Sequence, residues 1–339
     1  ENKIKDFPNG AWICQIQLSA HNVGEAFVVV NDYRRNNWKP YVYHTTDAGN
    51  KWKRIVDETN VNGHALSLVE DPIEPNLLFL GTENGLYVSF DKGQKWNHWT
   101  HDYPNVSTMD LKIHPREHDL IIGTFGRACY ILDDIRPLRE VAADPGTLGI
   151  PLKIFGAPEA YQAEWRRPAG SRFAADHVWQ GQNKSRGASI SMFVHPDHVG
   201  EGKNKKAKVM VFNQRMDTLR QMTMEPDTGM NYVRWNFDEK GVHWPSRRNR
   251  EHDEEPGGGP RVMPGTYKIV VDYNGHKDST ELQVSADPRI EFNPEARRAQ
   301  RSLERELLII IEKADKGYER IKEGKKVIEL VNKHLSHLE

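Results

Sequence analysis

The chain has 339 residues, with 47 Lys plus Arg against 48 Asp plus Glu and a formal net charge of −1. That balance argues against a broad nucleic-acid-binding face and against a polybasic membrane surface. Nine Trp, eleven Tyr and eleven Phe supply bulky core material, which excludes wholesale disorder.

Residues 1–140 are rich in short strand patterns and repeat internally. Thr45-Thr46-Asp47-Ala48-Gly49-Asn50-Lys51-Trp52 is answered 44 residues later by Ser89-Phe90-Asp91-Lys92-Gly93-Gln94-Lys95-Trp96. A worn third copy ends at Asp133 and lacks the Gly and the Trp. The flanks repeat too: Leu66 to Pro72 matches Met109 to Pro115, and Leu78-Phe79-Leu80-Gly81-Thr82 matches Leu120-Ile121-Ile122-Gly123-Thr124. Four short strands per period of ~40–45 residues is the signature of a β-propeller blade. The predicted blades are 1–57 (with an insertion at Asn31 to Pro40), 58–102 and 103–140. Propellers need about 4–8 blades to close, and three would leave two open edges. Further blades are therefore expected upstream of residue 1 or on a second polypeptide. The start at Glu1, with no signal peptide, points the same way, to a processed chain or a piece of a longer one.

The repeated Asp-x-Gly-x-x-Trp unit has a physical task. Asp accepts hydrogen bonds from nearby amides and fixes a tight turn, Gly takes a positive φ, and Trp buries a large ring. Thr45, Asp47, Gly49 and Trp52, with Ser89, Asp91, Gly93 and Trp96, thus read as structural staples, both Trp rings packing between neighbouring blades. Cys14 and Cys129 lie in alternating, strand-like contexts and are expected to be buried free thiols.

The stretch Ala142 to Gly146 marks a boundary. Residues 141–290 are read as a β-sandwich, with strands predicted at Ile190 to His195, Lys208 to Asn213, Asn231 to Phe237, Gly265 to Tyr273 and Ser279 to Val284. Asn274-Gly275 is a type I′ hairpin signal. Gly200 to Lys206 and the charged, Gly-rich Ser246 to Pro260 are expected to be loops, the latter mobile. Residues 294–339 are predicted to be helical. Leu303, Leu307, Ile310, Ala314, Ile321, Ile328, Val331, Leu335 and Leu338 step by four and three, a heptad seam with Gly317 and Gly324 in its two gaps. A break near either Gly would make a hairpin, and the seam (303–338) calls for a partner: itself, the sandwich or another helix. The longest apolar run, Leu307 to Ile311, falls far short of the ~18 residues of a membrane span, so no membrane insertion is expected.

These motifs resemble the Asp-box (bacterial neuraminidase repeat) propellers, a group that includes sialidases and sortilin-type Vps10 domains. The closest likeness is to large bacterial sortilin-like proteins. It rests on Pro40 to Tyr43, Glu70-Asp71-Pro72, Asn76-Leu77-Leu78, Gly81 to Leu86, Gly123 to Arg127 and Ile131 to Leu138. Ala128-Cys129 departs from the Gly-containing step usual there. In such proteins a sandwich similar to the flagellar-hook-cap immunoglobulin-like domain follows, here matched by Gly229 to Trp235 and Pro264 to Tyr267, and then a helical segment. The resemblance implies a mainly β chain: the last blades of an Asp-box propeller, an Ig-like sandwich and a C-terminal α-helical segment. It also implies export, to the periplasm, the cell surface or the medium.

Two functions follow from that reading. The first is a non-catalytic exported or cell-surface module that binds protein or glycan ligands through propeller loops. The alternative is part of an exo-acting, sialidase-like glycoside hydrolase with its catalytic residues mainly upstream. The Phe/Tyr-Arg-Ile-Pro motif that supplies a sialidase's first arginine is absent, and no catalytic residue is assigned. Binding candidates are Tyr33, Arg34, Arg35 and Trp38, in an insertion whose residue types suit binding hot spots, and Arg127. Against these stand a loop that merely packs on a preceding blade, and a salt bridge from Arg127 to Asp133 or Asp134. The His pairs at His98/His101 and His114/His118 lack helical metal-ligand spacing, so neither metal nor cofactor is expected.

Overall fold

Antiparallel strands dominate the chain, as its β-branched and aromatic content predicts. The computed structural model describes residues 4–163, 184, 186–200, 202–250 and 254–335. The chain divides into two compact units, Glu1–Ile150 and Pro151–Glu339.

In the first unit β1 (Trp12–Leu18), β2 (Ala26–Asp32), β3 (Asn37–Thr45) and β4 (Lys53–Arg54) form a four-stranded antiparallel meander. A second meander follows: β5 (Ala65–Glu70), β6 (Leu78–Thr82), β7 (Gly85–Ser89) and β8 (Asn97–Trp99). The third has three strands, β9 (Thr108–Ile113), β10 (Leu120–Thr124) and β11 (Cys129–Leu132). Where the motif has lost its Gly and Trp, the chain enters a helix instead of a fourth strand. This is α1 (Arg136–Ala143), with Pro137 in its first turn, where the missing N–H costs nothing.

Alternation along β6 shows how the sheets stack. Leu78 and Leu80 join Val29, Val42 and Leu68 in one core. Phe79 joins Leu111, Ile113, Leu120 and Ile122 in another. The middle sheet is therefore buried on both faces. Gly81 is required where β6 approaches β9, since a Cβ there would lie 2.5 Å from both Ser67 Oγ and Thr108 O. Its counterpart Gly123 would meet only Asp110 of its own sheet, at 3.7 Å.

Two buried carboxylates tie this unit together. Asp71, fully buried, accepts from the amides of Ile73 and Glu74 at 2.8 Å. It also pairs with Arg139 of α1, whose Nε lies 2.9 and 3.0 Å from the two carboxylate oxygens. Glu25 joins the first sheet to the second motif turn, accepting from Lys92 Nζ and Asn22 Nδ2 and meeting His44 Nε2, each at 2.6 Å. Burial pushes the Glu25 carboxyl up, but the Lys92, Asn22 and His44 contacts outweigh it and hold the pKa down to about 2.

A carboxyl depressed on folding stabilises above its unfolded pKa, near 4.5, and that stability is lost as pH falls toward 2. Glu25→Gln should therefore cost about 3 kcal/mol near pH 6, at ~1.4 kcal/mol per unit of depression. The gap to wild type should close by pH 2 in urea melts. A gap constant over that range would refute the assignment.

The second unit holds β12 (Leu152–Ile154), β13 (Ala160–Gln162), β14 (Ala188–Val194), β15 (Ala207–Phe212), β16 (Thr218–Met224), β17 (Gly229–Trp235), β18 (Asp238–Lys240), β19 (Gly258–Arg261), β20 (Gly265–Tyr273) and β21 (His276–Ala286). The sheets β12-β14-β17 and β13-β21-β20-β15-β16 share one core, in which Ile190, Met192 and Trp235 meet Val209, Ile269 and Leu282. The five predicted strands are present with ends shifted by a few residues. Asn274 and Gly275, at φ of 48° and 82°, make the predicted hairpin turn. The Gly-rich segment departs from expectation: Gly258 to Arg261 pair with β18 as a two-stranded ribbon, and 251–253 lie outside the described residues.

One unbroken helix, α2 (Pro294–Leu335), closes the chain; Leu338 lies outside the described residues. Asn293 Oδ1 caps it, accepting from the amides of Glu295 and Ala296 at 3.0 Å. Gly317 and Gly324 do not break it. Each costs about 1 kcal/mol, little beside the other turns of a 42-residue helix. The docked face is not the aliphatic seam. Arg301 and Arg305 pair with Glu239 of β18, and Arg250 pairs with Asp315. Lys322 Nζ donates to the carbonyls of Ser246 and Arg248 at 3.3 and 3.0 Å. Ile311 and Asp315 are buried, whereas Leu303, Leu307, Ile310, Ile321, Ile328, Val331 and Leu335 stay exposed.

The thiols also differ from expectation. Cys14 is half-buried, taking Asn31 Nδ2 at 2.7 Å, and burial raises its pKa. Cys129 is exposed rather than buried, because its side of the third sheet carries no covering layer among the described residues.

Candidate ligand-binding surface

The two motif turns share one construction. Thr45 Oγ1 donates to Asp47 Oδ1 at 2.9 Å and accepts from the Gly49 amide at 3.0 Å, while the Lys51 amide donates to Asp47 Oδ1 at 2.8 Å. Ser89, Asp91, Gly93 and Lys95 repeat the set at 2.9, 2.8 and 2.8 Å. The Lys51 amide bond holds the Asp47 carboxyl below its ordinary range, which suits a fixed acceptor and not a proton donor. The Trp rings diverge. Trp96 is buried and donates to Ile55 O at 3.0 Å, across to the first sheet. Trp52 is half-buried and donates to Gly49 O at 3.0 Å, within its own turn.

The insertion between β2 and β3 is a compact corner. Tyr33–Arg35 form one 3-10 turn, closed by the Asn36 amide donating to Tyr33 O at 2.9 Å. Asn36 takes a φ of 60°, a left-handed conformation that Asn tolerates. Its Oδ1 accepts from Trp38 Nε1 at 3.0 Å and fixes that ring.

Around this corner the fold gathers an aromatic group. Tyr33 stacks on His64, with centroids 4.8 Å apart and planes 23° apart. Trp38 lies 5.6 Å from His64, edge-on, and 5.9 Å from Tyr33. The Arg34 guanidinium sits 5.2 Å from the Tyr33 ring centre and 5.7 Å from that of Trp12. Trp12 is 63% exposed and Trp38 53%, whereas His64 is 2% exposed. Burial lowers the His64 pKa against the opposing pull of Glu83, and its Nδ1 has no hydrogen-bond partner.

Of the residues nominated from sequence, Tyr33, Arg34 and Trp38 come together. Arg35 turns away, pairing with Asp32 at 3.0 Å and donating to Asn9 O at 2.6 Å. Arg127 lies exposed in the turn between β10 and β11, apart from this group. It does not bridge to Asp134, which pairs with Arg136. Trp12 and His64 were not foreseen. Trp12 arrives because β1 pairs with β2 and sets it opposite Asn31; His64 stands at the threshold of β5. Tyr43, farther along β3, is fully buried. Burial pushes its pKa up to about 12, unsuited to a nucleophile. Among the described residues no group of three or more His, Cys, Asp or Glu is placed to hold a metal, and no helix is long and apolar enough to cross a membrane.

No family model and no curated protein matches the chain. Among solved structures it is similar to an extracellular domain assigned to a one component system of B. thetaiotaomicron, with TM-score 0.25 and 12% identity over 76% of the chain. It is also similar to one assigned to a hybrid two component system of that organism, with TM-score 0.24 and 11% identity over 86% of the chain. The chain spans 29% and 38% of the length of those two. At such TM-scores the likeness carries no inference of function.

Proposed function

We propose that the three stacked sheets are the last blades of an Asp-box propeller of the sortilin-like class, followed by an Ig-like sandwich and a helical tail. On this reading the chain is a non-catalytic, exported or cell-surface module that binds protein or glycan ligands. The observation that carries the binding role is the pair of exposed rings Trp12 and Trp38, set about half-buried Tyr33 at one corner of a rigid sheet. Two features support further blades. Ile13, Ile16 and Leu18 are exposed on β1, as on a sheet awaiting a neighbour. Gly123 repeats the small residue that Gly81 needs for close sheet approach, where no described neighbour stands.

The test is retention of the chain on a panel of immobilised glycans and envelope proteins, with reducing ends assayed in parallel. Trp38→Ala should weaken retention at least tenfold while no reducing ends appear. Release of reducing ends that a carboxylate or Tyr substitution in this chain abolishes would overturn the non-catalytic reading.

A further inference from the structure

We infer that Arg34 is an anion receptor at the centre of this surface, and that its ligand is an acidic saccharide whose sugar carboxylate pairs with the guanidinium. The inference rests on the binding reading above and adds the ligand's chemical class.

Three observations converge on it. First, Arg34 is exposed and held between two rings, at 5.2 Å from Tyr33 and 5.7 Å from Trp12. Aromatic faces attract a cation without neutralising it, so the guanidinium is positioned while its N–H fork stays open. Second, no carboxylate lies within ion-pair distance of Arg34 among the described residues, although Asp32 is only two positions away. That acid is taken by Arg35 at 3.0 Å. The sequence thus supplies two adjacent arginines, one spent on fixing the corner and one left free. Third, of the two rings beside Arg34, Trp12 is exposed and Tyr33 half-buried, and His64, stacked on Tyr33, keeps an unpartnered Nδ1.

A planar guanidinium binds a carboxylate through two parallel N–H···O bonds. A pyranose that places its carboxylate there can lay its C–H face on Trp12 or Trp38. An acidic peptide offers the charge but needs pockets for its side chains, and this corner has flat rings instead.

The test is titration calorimetry on the 339-residue chain with three probes: trigalacturonate, its neutral methyl ester and triglutamate. Wild type should bind trigalacturonate at least tenfold more tightly than the ester, the preference shrinking as salt rises from 0.05 to 0.5 M. Arg34→Ala should remove that preference, so that acid and ester bind alike. Arg34→Lys should keep part of it, and Trp38→Ala should weaken both sugars. Equal binding of acid and ester, abolished by Trp38→Ala, would overturn the acidic class and leave the binding reading standing. Tighter binding of triglutamate than of trigalacturonate would replace the saccharide by an acidic peptide. Binding of none of the three would overturn the inference, while retention on another glycan or protein in the panel above would still uphold the binding reading.

Discussion

Replacing Arg139 by Met is expected to destabilise the first unit by about 3–5 kcal/mol, the usual cost of leaving one partner of a buried ion pair uncompensated. Asp71 is fully buried; the Arg139 Nε–H is shared between its two oxygens at 2.9 and 3.0 Å, and Nη2 stands 2.8 Å from Oδ2. Its other bonds come from amides that do not neutralise it. The pair fastens α1 to the turn after β5, so losing it should loosen the second sheet and not only the helix. Amide exchange along β5 to β7 would read this selectively, since the second unit supplies an internal reference. Asp71→Asn keeps an oxygen for the Ile73 and Glu74 amides and removes the charge. The double variant should therefore be less destabilised than the sum of the single ones. Wild-type exchange in Arg139→Met would show that the pair adds nothing.

The second large effect distinguishes two tryptophans that look equivalent in sequence. Trp96→Ala should cost about 3–5 kcal/mol, because the ring fills core shared with Ile55 and Leu78 and its indole N–H bonds across sheets. Trp52→Ala should cost about 1–2 kcal/mol, in the range of partly exposed truncations, since its ring is half-buried and its bond is local. The two melts should separate clearly by chemical denaturation. Equal losses would mean that burial at Trp52 matches that at Trp96. The same motif yields unequal effects because only the second turn has a described preceding sheet to press against.

The parts of the fold legible in sequence were those marked by strong local chemistry. Repeated Asp-Gly-Trp turns, Asn274-Gly275 and β-branched runs such as Thr266 to Val271 announced their elements. β16, with Thr218, Arg220 and Gln221 among its residues, and the β18–β19 ribbon, with Gly258, Gly259 and Pro260, carry no such mark. Their register comes from neighbours, not propensity. The face on which α2 docks carries no such mark either. Apolar periodicity pointed to Leu303, Leu307 and Ile310, while Arg301, Arg305 and Asp315 make the contacts. At the aromatic corner Tyr33, Arg34 and Trp38 were readable because they fall in one short insertion. Trp12 and His64 are brought in by strand pairing and sheet stacking, which no local pattern reports. That Arg34 is free and Arg35 spent depends on the position of Asp32, a matter of geometry alone.

The docking of α2 carries a geometric consequence. Arg297, Arg301, Glu304, Leu308, Ile311, Asp315, Tyr318 and Lys322 trace its covered line, advancing by fours and threes. On a straight helix a line of that period slips about 20° per heptad, so from Arg297 to Lys322 it winds roughly 70° around the axis. A flat ribbon can follow such a line only part of the way. Past Lys322 the helix has turned its charged contacts off the sandwich, and every described side chain from Glu323 to Leu335 faces water. The aliphatic line beside it winds with the same pitch. Any second helix that tracked it from Leu303 to Leu335 would have to coil left-handed about α2, so the handedness of such a pairing is already written in the spacing.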